Sequence, residues 1–289
     1  MSGRRKGLVF ISNEIIKTVA EIGLERLDKC SKQVGERFFK AVRPCFALDD
    51  ANLPVALGSC FLMRVDGVPL LVTAGHVVDE SENSSIYVGG IDRPIALEGI
   101  FSVTSRPKGK RQDDPFDFAF AILSPEMCEA LSADFFITED MVSKNRANRE
   151  NRGYMALGYP EMMQLFNYGA HKIFTEAWTY VGFHQAVPGL YEELGVAGDR
   201  HFAIRFEDRV KTFAGRVKDA CDPKGASGGI LIDMGNFDPA KLAPEEACVG
   251  LLCGILIEHR REYNAIIATD IQLVIEQVRL LLMSSSGQR

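Results

Sequence analysis

The chain of 289 residues is defined first by what it lacks. No apolar run approaches the roughly 18 residues that a membrane span needs. Arg4, Arg5 and Lys6 open the chain, but the apolar stretch behind them is short and meets Asn13 and Glu14, so no secretory signal is expected. The seven cysteines (Cys30, Cys45, Cys60, Cys128, Cys221, Cys248 and Cys253) are odd in number and show no CxxC spacing. That disfavours a zinc site or a disulfide framework and predicts reduced, mostly buried thiols. No Gly-Lys-Ser/Thr closes a glycine-rich loop, which excludes a phosphate-binding P-loop. The net charge of -6 lacks the basic excess of a nucleic-acid binder. These absences predict a soluble, cytoplasmic protein with no metal, cofactor, membrane or nucleic-acid partner.

Hydrophobic residues make up 46% of the chain, enough for a sizeable core, and the length suits one large domain or two small ones. Residues 13–40 read as a helix: Ile15, Ile16, Val19, Ile22, Leu27, Cys30, Val34 and Phe38 recur at helical spacing behind Asn13 as N-cap. Its stripe is expected to pack on the core, with a docking helix for a partner as the alternative. From Ala41 the pattern becomes short apolar runs broken by turns. These are Ala41–Leu48, Val55–Val65, Val68–Ala74, Ser85–Val88, Ile95–Val103 and Phe116–Leu123. Asp66-Gly67 marks a hairpin. Ser124–Ser132 reads as a short helix. Met141–Arg152 is polar and basic and reads as a solvated linker. Strand-like runs then resume at Tyr154–Gly158, Lys172–Phe183, His201–Phe206, Ile230–Ile232, Cys248–Ile257 and Tyr263–Ala268. Asp233–Ala247 reads as a loop, and Asp270 caps a final helix to about Met283. The expected division is a helical extension (1–40), a strand-rich unit (41–140), a linker (141–152), a second strand-rich unit (153–269) and a helical tail (270–289). The class is all-β, a barrel or a sandwich.

Within this pattern, Lys224-Gly225-Ala226-Ser227-Gly228-Gly229 places a serine in a glycine-rich bend before an apolar run. Glycine permits close backbone approaches, so such a bend can expose a hydroxyl and aim N–H groups at one point. A serine hydroxyl needs a base, and the base needs an orienting carboxylate. Of the five histidines, His76 stands where the strand Leu70-Leu71-Val72 ends. Imidazole titrates near neutrality, which suits the base. Asp117 opens the apolar strand Phe118-Ala119-Phe120-Ala121-Ile122-Leu123, where a half-buried carboxylate must find a partner; Asp113 and Asp114 lie nearby. Each group alone has an ordinary structural reading, and the combination carries the inference.

The motifs resemble those of chymotrypsin-like (trypsin-like) serine peptidases. Thr73-Ala74-Gly75-His76 is similar to their TAAH box, Asp117-Phe118-Ala119-Phe120 to their aspartate strand, and Gly225-Ala226-Ser227-Gly228-Gly229 to their G-[DN]-S-G-G box, in the family's order. Gly58-Ser59-Cys60-Phe61-Leu62 resembles the GSGF strand, and Gly158-Tyr159-Pro160 the GYP turn of bacterial members. The resemblance covers about residues 41–275. It implies two packed antiparallel six-stranded β-barrels, flanked here by an N-terminal and a C-terminal helix. It further implies Ser227 as nucleophile, His76 as base and then acid, and Asp117 as orienter. The N–H groups of Gly225 and Ser227 would form the oxyanion hole, and the reaction would be peptide-bond hydrolysis through an acyl-enzyme. Gly75 departs from the second alanine, Cys60 from a glycine, Ile230 from a proline, and Ala226 from the acid that pairs with a freed N-terminus in zymogens. The chain therefore reads as a divergent intracellular member that does not use that activation route.

By the same resemblance, Cys221, Asp222, Leu256 and Ile257 should wall the primary pocket. An inward Asp222 would select a basic side chain, and an inward Cys221 a small apolar one; Leu256 and Ile257 favour the apolar case. An unrestrained peptidase in the cytoplasm implies a restricted or triggered activity, with a regulatory protein partner besides the polypeptide substrate. Two other readings compete. Gly225-x-Ser227-x-Gly229 also fits the nucleophile elbow of α/β-hydrolases with His259 following, but no βαβ alternation accompanies it. A binding module that keeps the fold and dispenses with catalysis is the other.

Overall fold

A computed structural model describes residues 18–81, 85–90, 93–106, 109–145, 149–167, 172–185, 189–193, 198–211, 216–238, 248 and 250–286. The chain enters through helix α1 (Val19–Phe38), capped by Thr18 in a capping box with Glu21. Asn13, the expected cap, lies outside the described residues. Cys30, Val34 and Phe38 repeat every four residues and form the buried face.

Seven strands then form one sheet: β1 (Val42–Leu48), β2 (Pro54–Val65), β3 (Val68–Ala74), β4 (Tyr87–Gly89), β5 (Pro94–Ala96), β6 (Phe101–Val103) and β7 (Phe118–Ile122). Their order is β5-β4-β1-β2-β3-β7-β6, with antiparallel pairing throughout. The Asp66-Gly67 turn joins β2 to β3, both residues at positive φ. A short helix α2 (Gly75–Asp79) follows β3, and α3 (Pro125–Ala130) follows β7 under a Ser124 cap. The run expected at 95–103 divides into β5 and β6.

The second half contains β8 (Arg152–Gly158), the hairpin β9 (Gln164–Asn167) and β10 (Lys172–Thr175), β11 (Trp178–Phe183), α4 (Leu190–Glu193), β12 (His201–Arg205), the hairpin β13 (Arg209–Lys211) and β14 (Val217–Asp219), β15 (Ile230–Asn236), β16 (Leu251–Arg260), β17 (Ala265–Asp270) and α5 (Ile271–Ser286). Its main sheet runs β11-β8-β15-β16-β17-β12. The outer strands approach each other through an antiparallel bridge between His184 and Ile204, which curls the sheet into a half-barrel. The fold is thus mostly β. Closure differs from the expected pair of six-stranded barrels: the first sheet has seven strands, and the second meets itself at one bridge.

Three further expectations are corrected. Asp233 to Asn236 extend β15 and are not loop, because Asp233 is buried and anchored by Arg152, whose Nη2 lies 2.8 Å away. The basic linker is not simply solvated: Arg149 is buried, donates to Gly198 O at 2.9 Å and stacks 4.1 Å from the Phe202 ring centre. Cys30 and Cys248 form a disulfide with Cα atoms 5.2 Å apart, tying α1 to the segment ahead of β16. That pairing, 218 residues apart in sequence, leaves no local spacing to read. Cys45, Cys60, Cys128, Cys221 and Cys253 are free.

The largest core cluster draws on both sheets, with Phe61, Val72 and Phe118 beside Leu157, Ile230 and Ile255. Helix α5 adds Ile271, Val274, Ile275 and Val278, the stripe expected of it, and Asp270 accepts from Gln272 N–H at 2.8 Å. Among the described residues no helix is long and apolar enough to cross a membrane.

Candidate active site

Antiparallel pairing of Ala74 with Phe118 brings the end of β3 beside the start of β7. Residues 41 apart in sequence thereby become neighbours. Asp117 holds His76 at two points: Oδ2 lies 2.6 Å from Nδ1, and Oδ1 accepts the His76 backbone N–H at 2.9 Å. The Asp117 carbonyl accepts Gly75 N–H at 3.0 Å. Asp117 reaches these bonds from a left-handed backbone (φ 44°), a strained conformation for a residue with a Cβ. With Nδ1 donating to the carboxylate, neutral His76 presents Nε2 as a proton acceptor. Burial pulls the imidazole pKa down, but the hydrogen bond and charge of Asp117, aided by Glu80, outweigh it and leave the pKa raised. Arg111 opposes that rise.

Arg111 was not expected from the sequence. It donates Nε to Asp79 at 2.6 Å and Nη1 to Asp114 at 2.6 Å, and its Nε stands 3.9 Å from Asp117 Oδ1. A Cβ on Gly75 would sit 2.9 Å from Asp117 Oδ1 and 3.0 Å from Arg111 Nη1. The missing Cβ of Gly75 leaves room for the Asp117 carboxylate and the Arg111 guanidinium. Asp113 and Asp114, the competing carboxylates, do not hold His76; Asp114 is committed to Arg111 and Thr104.

Ser227 lies in the turn between Gly225 (φ 87°) and Gly228 (φ 81°). A Cβ on Gly228 would run into the Ser59 carbonyl oxygen, so only glycine fits. The N–H groups of Ala226, Gly228 and Gly229 are taken by Pro223 O, Leu256 O and Ala226 O at 2.8, 2.8 and 2.9 Å. Those of Gly225 and Ser227 have no acceptor among the described residues. The Ser227 hydroxyl donates to Ile257 O at 3.1 Å and makes no hydrogen bond to His76.

His76, Asp117, Gly225 and Ser227 line one cleft of about 640 Å³. Leu256 and Ile257 line it, together with Trp178, Ile266 and His259. Asp222 is on the wall, but its carboxylate is committed to Arg261 at 2.7 Å and to Lys224 N–H at 3.1 Å. Cys221 is not on the wall; it packs against the core cluster around Trp178 and Phe206. His259 faces the Phe206 ring edge at 4.6 Å, and burial lowers its pKa. The strand β15 that follows Ser227 replaces the helix a nucleophile elbow requires. Among the described residues no cluster of His, Cys, Asp or Glu is arranged to hold a metal ion.

No family model matches the chain, and no curated protein matches it. One solved structure similar to it comes from work on aromatic interactions that drive the coupled folding and binding of the intrinsically disordered Sesbania mosaic virus VPg protein. The two share 10% identity over 80% of this chain and 87% of that chain, with a TM-score of 0.43. A likeness of that size carries no inference about activity.

Proposed function

We propose that the chain is a chymotrypsin-like serine endopeptidase, its two sheets being the two halves of that fold. The observation that carries the reading is the doubly fastened His76–Asp117 pair, sharing a cleft with Ser227, where the Gly225 and Ser227 N–H groups have no acceptor among the described residues. In catalysis the Ser227 hydroxyl turns from Ile257 O to His76 Nε2 and attacks the scissile carbonyl carbon while the imidazole takes its proton. Asp117 stabilises the imidazolium, and the Gly225 and Ser227 N–H groups receive the oxyanion. The C–N bond breaks as His76 returns the proton to the leaving amine. Water, deprotonated by His76, then hydrolyses the acyl-enzyme. Leu256 and Ile257, buried on the cleft wall, support an apolar rather than a basic side chain in the primary pocket, so Asp222→Ala should leave the cleavage preference in a peptide library unchanged.

The hydrogen bond from Ser227 to Ile257 O favours a second reading, a binding module in which the serine never acts. Fluorophosphonate labelling separates the two. The peptidase reading expects a covalent adduct on Ser227, abolished by Ser227→Ala and by His76→Ala. A folded wild-type protein that stays unlabelled supports the binding module.

A further inference from the structure

The oxyanion hole proposed above requires the Gly225 N–H to face the cleft, and a glycine has no preference of its own for that orientation. A trans peptide directs its C=O and N–H oppositely, so the Gly225 N–H is aimed by whatever holds the Lys224 carbonyl. That carbonyl accepts the Glu161 backbone N–H at 2.9 Å. The Glu161 and Lys224 side chains also pair at 2.7 Å, but both are more than half exposed, and such pairs contribute little. On the other side, the Gly225 carbonyl accepts from the Ser59 hydroxyl at 3.2 Å. Ser59 is fully buried, and all its polar groups serve this junction. Its N–H donates to Ser227 O at 2.8 Å, its Oγ accepts Tyr159 N–H at 2.8 Å, and its carbonyl accepts the Thr73 hydroxyl at 2.7 Å. Ala226 offers no polar side chain to anchor the turn, so anchoring falls on groups outside it.

We propose that Glu161 and Ser59 are positioning residues that hold the oxyanion hole open in the resting protein: Glu161 fixes the Lys224–Gly225 peptide that carries the Gly225 N–H, and Ser59 fixes the turn around it by holding the Gly225 and Ser227 carbonyls. The inference rests on the serine-peptidase reading of Ser227. It makes the hole a property of the folded chain, so control of activity acts on access to the cleft or on the Ser227 rotamer and not on assembly of the hole.

Glu161→Pro tests the first anchor. Glu161 begins a short 3-10 turn, and Pro160 before it has φ -58° and ψ 148°, a backbone that accepts a following proline. The substitution deletes the N–H and sets a ring carbon against Lys224 O. Glu161→Ala is the control that loses the ion pair and keeps the N–H. The readouts are the rate of fluorophosphonate labelling at Ser227, the hydrolysis of p-nitrophenyl acetate and the thermal midpoint, all on the full chain. Glu161→Ala should stay within about twofold of wild type, and Glu161→Pro should fall about 100-fold, the scale of one lost hole donor. Ser59→Ala should fall about tenfold, with partial rescue in Ser59→Thr, which keeps a hydroxyl. The losses should fall on kcat with KM unchanged, a split that general loosening does not produce. Equal rates in wild type, Glu161→Pro and Ser59→Ala, or an equal fall in Glu161→Pro and Glu161→Ala, overturns the inference. A wild type that does not label overturns the peptidase reading beneath it.

Discussion

The two sheets furnish the cleft by different physical means. The first holds His76 through side chains: the Asp117 carboxylate grips the imidazole and its backbone, and Arg111 braces Asp79 and Asp114 behind it. The second presents Ser227 mainly through backbone, with glycines at positive φ and carbonyls assigned to distant donors, one of them the Ser59 hydroxyl. A base needs charge at its back to bias a proton, whereas an oxyanion site needs amides aimed with their partners removed. Each half also fastens the other. Ser59 of β2 holds the Ser227 turn, while Thr269 of β17 donates to Phe116 O at 2.7 Å and His201 of β12 donates to Pro115 O at 2.5 Å, beside Asp117. Burial lowers the His201 pKa.

The sharpest break in the comparison is Asp117→Asn. It leaves the geometry of both sheets in place and removes the charge on one side, so on the peptidase reading kcat should fall by about 10⁴, the scale of the same change in a Ser-His-Asp triad. Steady-state kinetics with unchanged circular dichroism checks this. Next comes the disulfide between α1 and the second half. Cys30→Ser with Cys248→Ser should cost about 3 kcal/mol of unfolding free energy in denaturant titration and leave fluorophosphonate labelling unchanged; a matching loss of labelling would show that this tether serves the site. Thr269→Val removes one cross-sheet bond at a buried site and should cost about 1 kcal/mol. Its labelling rate should fall more than that of a control of equal stability loss in α5, because it frees the segment that carries Asp117.

The smallest effect concerns pH. On the proposed peptidase reading neutral His76 is the active form, so kcat/KM should rise with pH, with a midpoint above the ordinary imidazole value of about 6.5. Arg111→Met removes the charge that opposes the rise and should move the midpoint further up. The same raised pKa means that the His76–Asp117 pair stabilises the fold fully below about pH 6.5, and that this contribution is lost as pH rises through the folded-state value. A midpoint unmoved by Arg111→Met would confine the guanidinium to a structural role.

Much of this was legible in the residues. The Asp66-Gly67 hairpin, the α5 stripe behind Asp270, and the strand ends that carry His76 and Asp117 follow from local pattern, because turn chemistry and periodicity act within a few residues. The boundaries at 95–103 and 233–236 were misread, since pairing to β4, β7 and β8 decides where those strands run. Arg111, Glu161 and Ser59 carried no expected role at the site, because their contacts there form only across the folded sheets. The Cys30–Cys248 bond ran against the expectation of reduced thiols for the same reason: its partners meet only after the chain has folded.

What the linear chain determined alone was the supply of chemistry: a serine among glycines, a histidine at one strand end, an aspartate at another, and apolar runs too short for anything but a strand-rich core. Folding decided which donor faces which carbonyl. The Gly225 and Ser227 amides have no acceptor among the described residues, and Glu161, Ser59 and Leu256 hold the turn around them. Hydrogen bonds act over about 3 Å, and only packing the sheets together brings such separated groups within that reach.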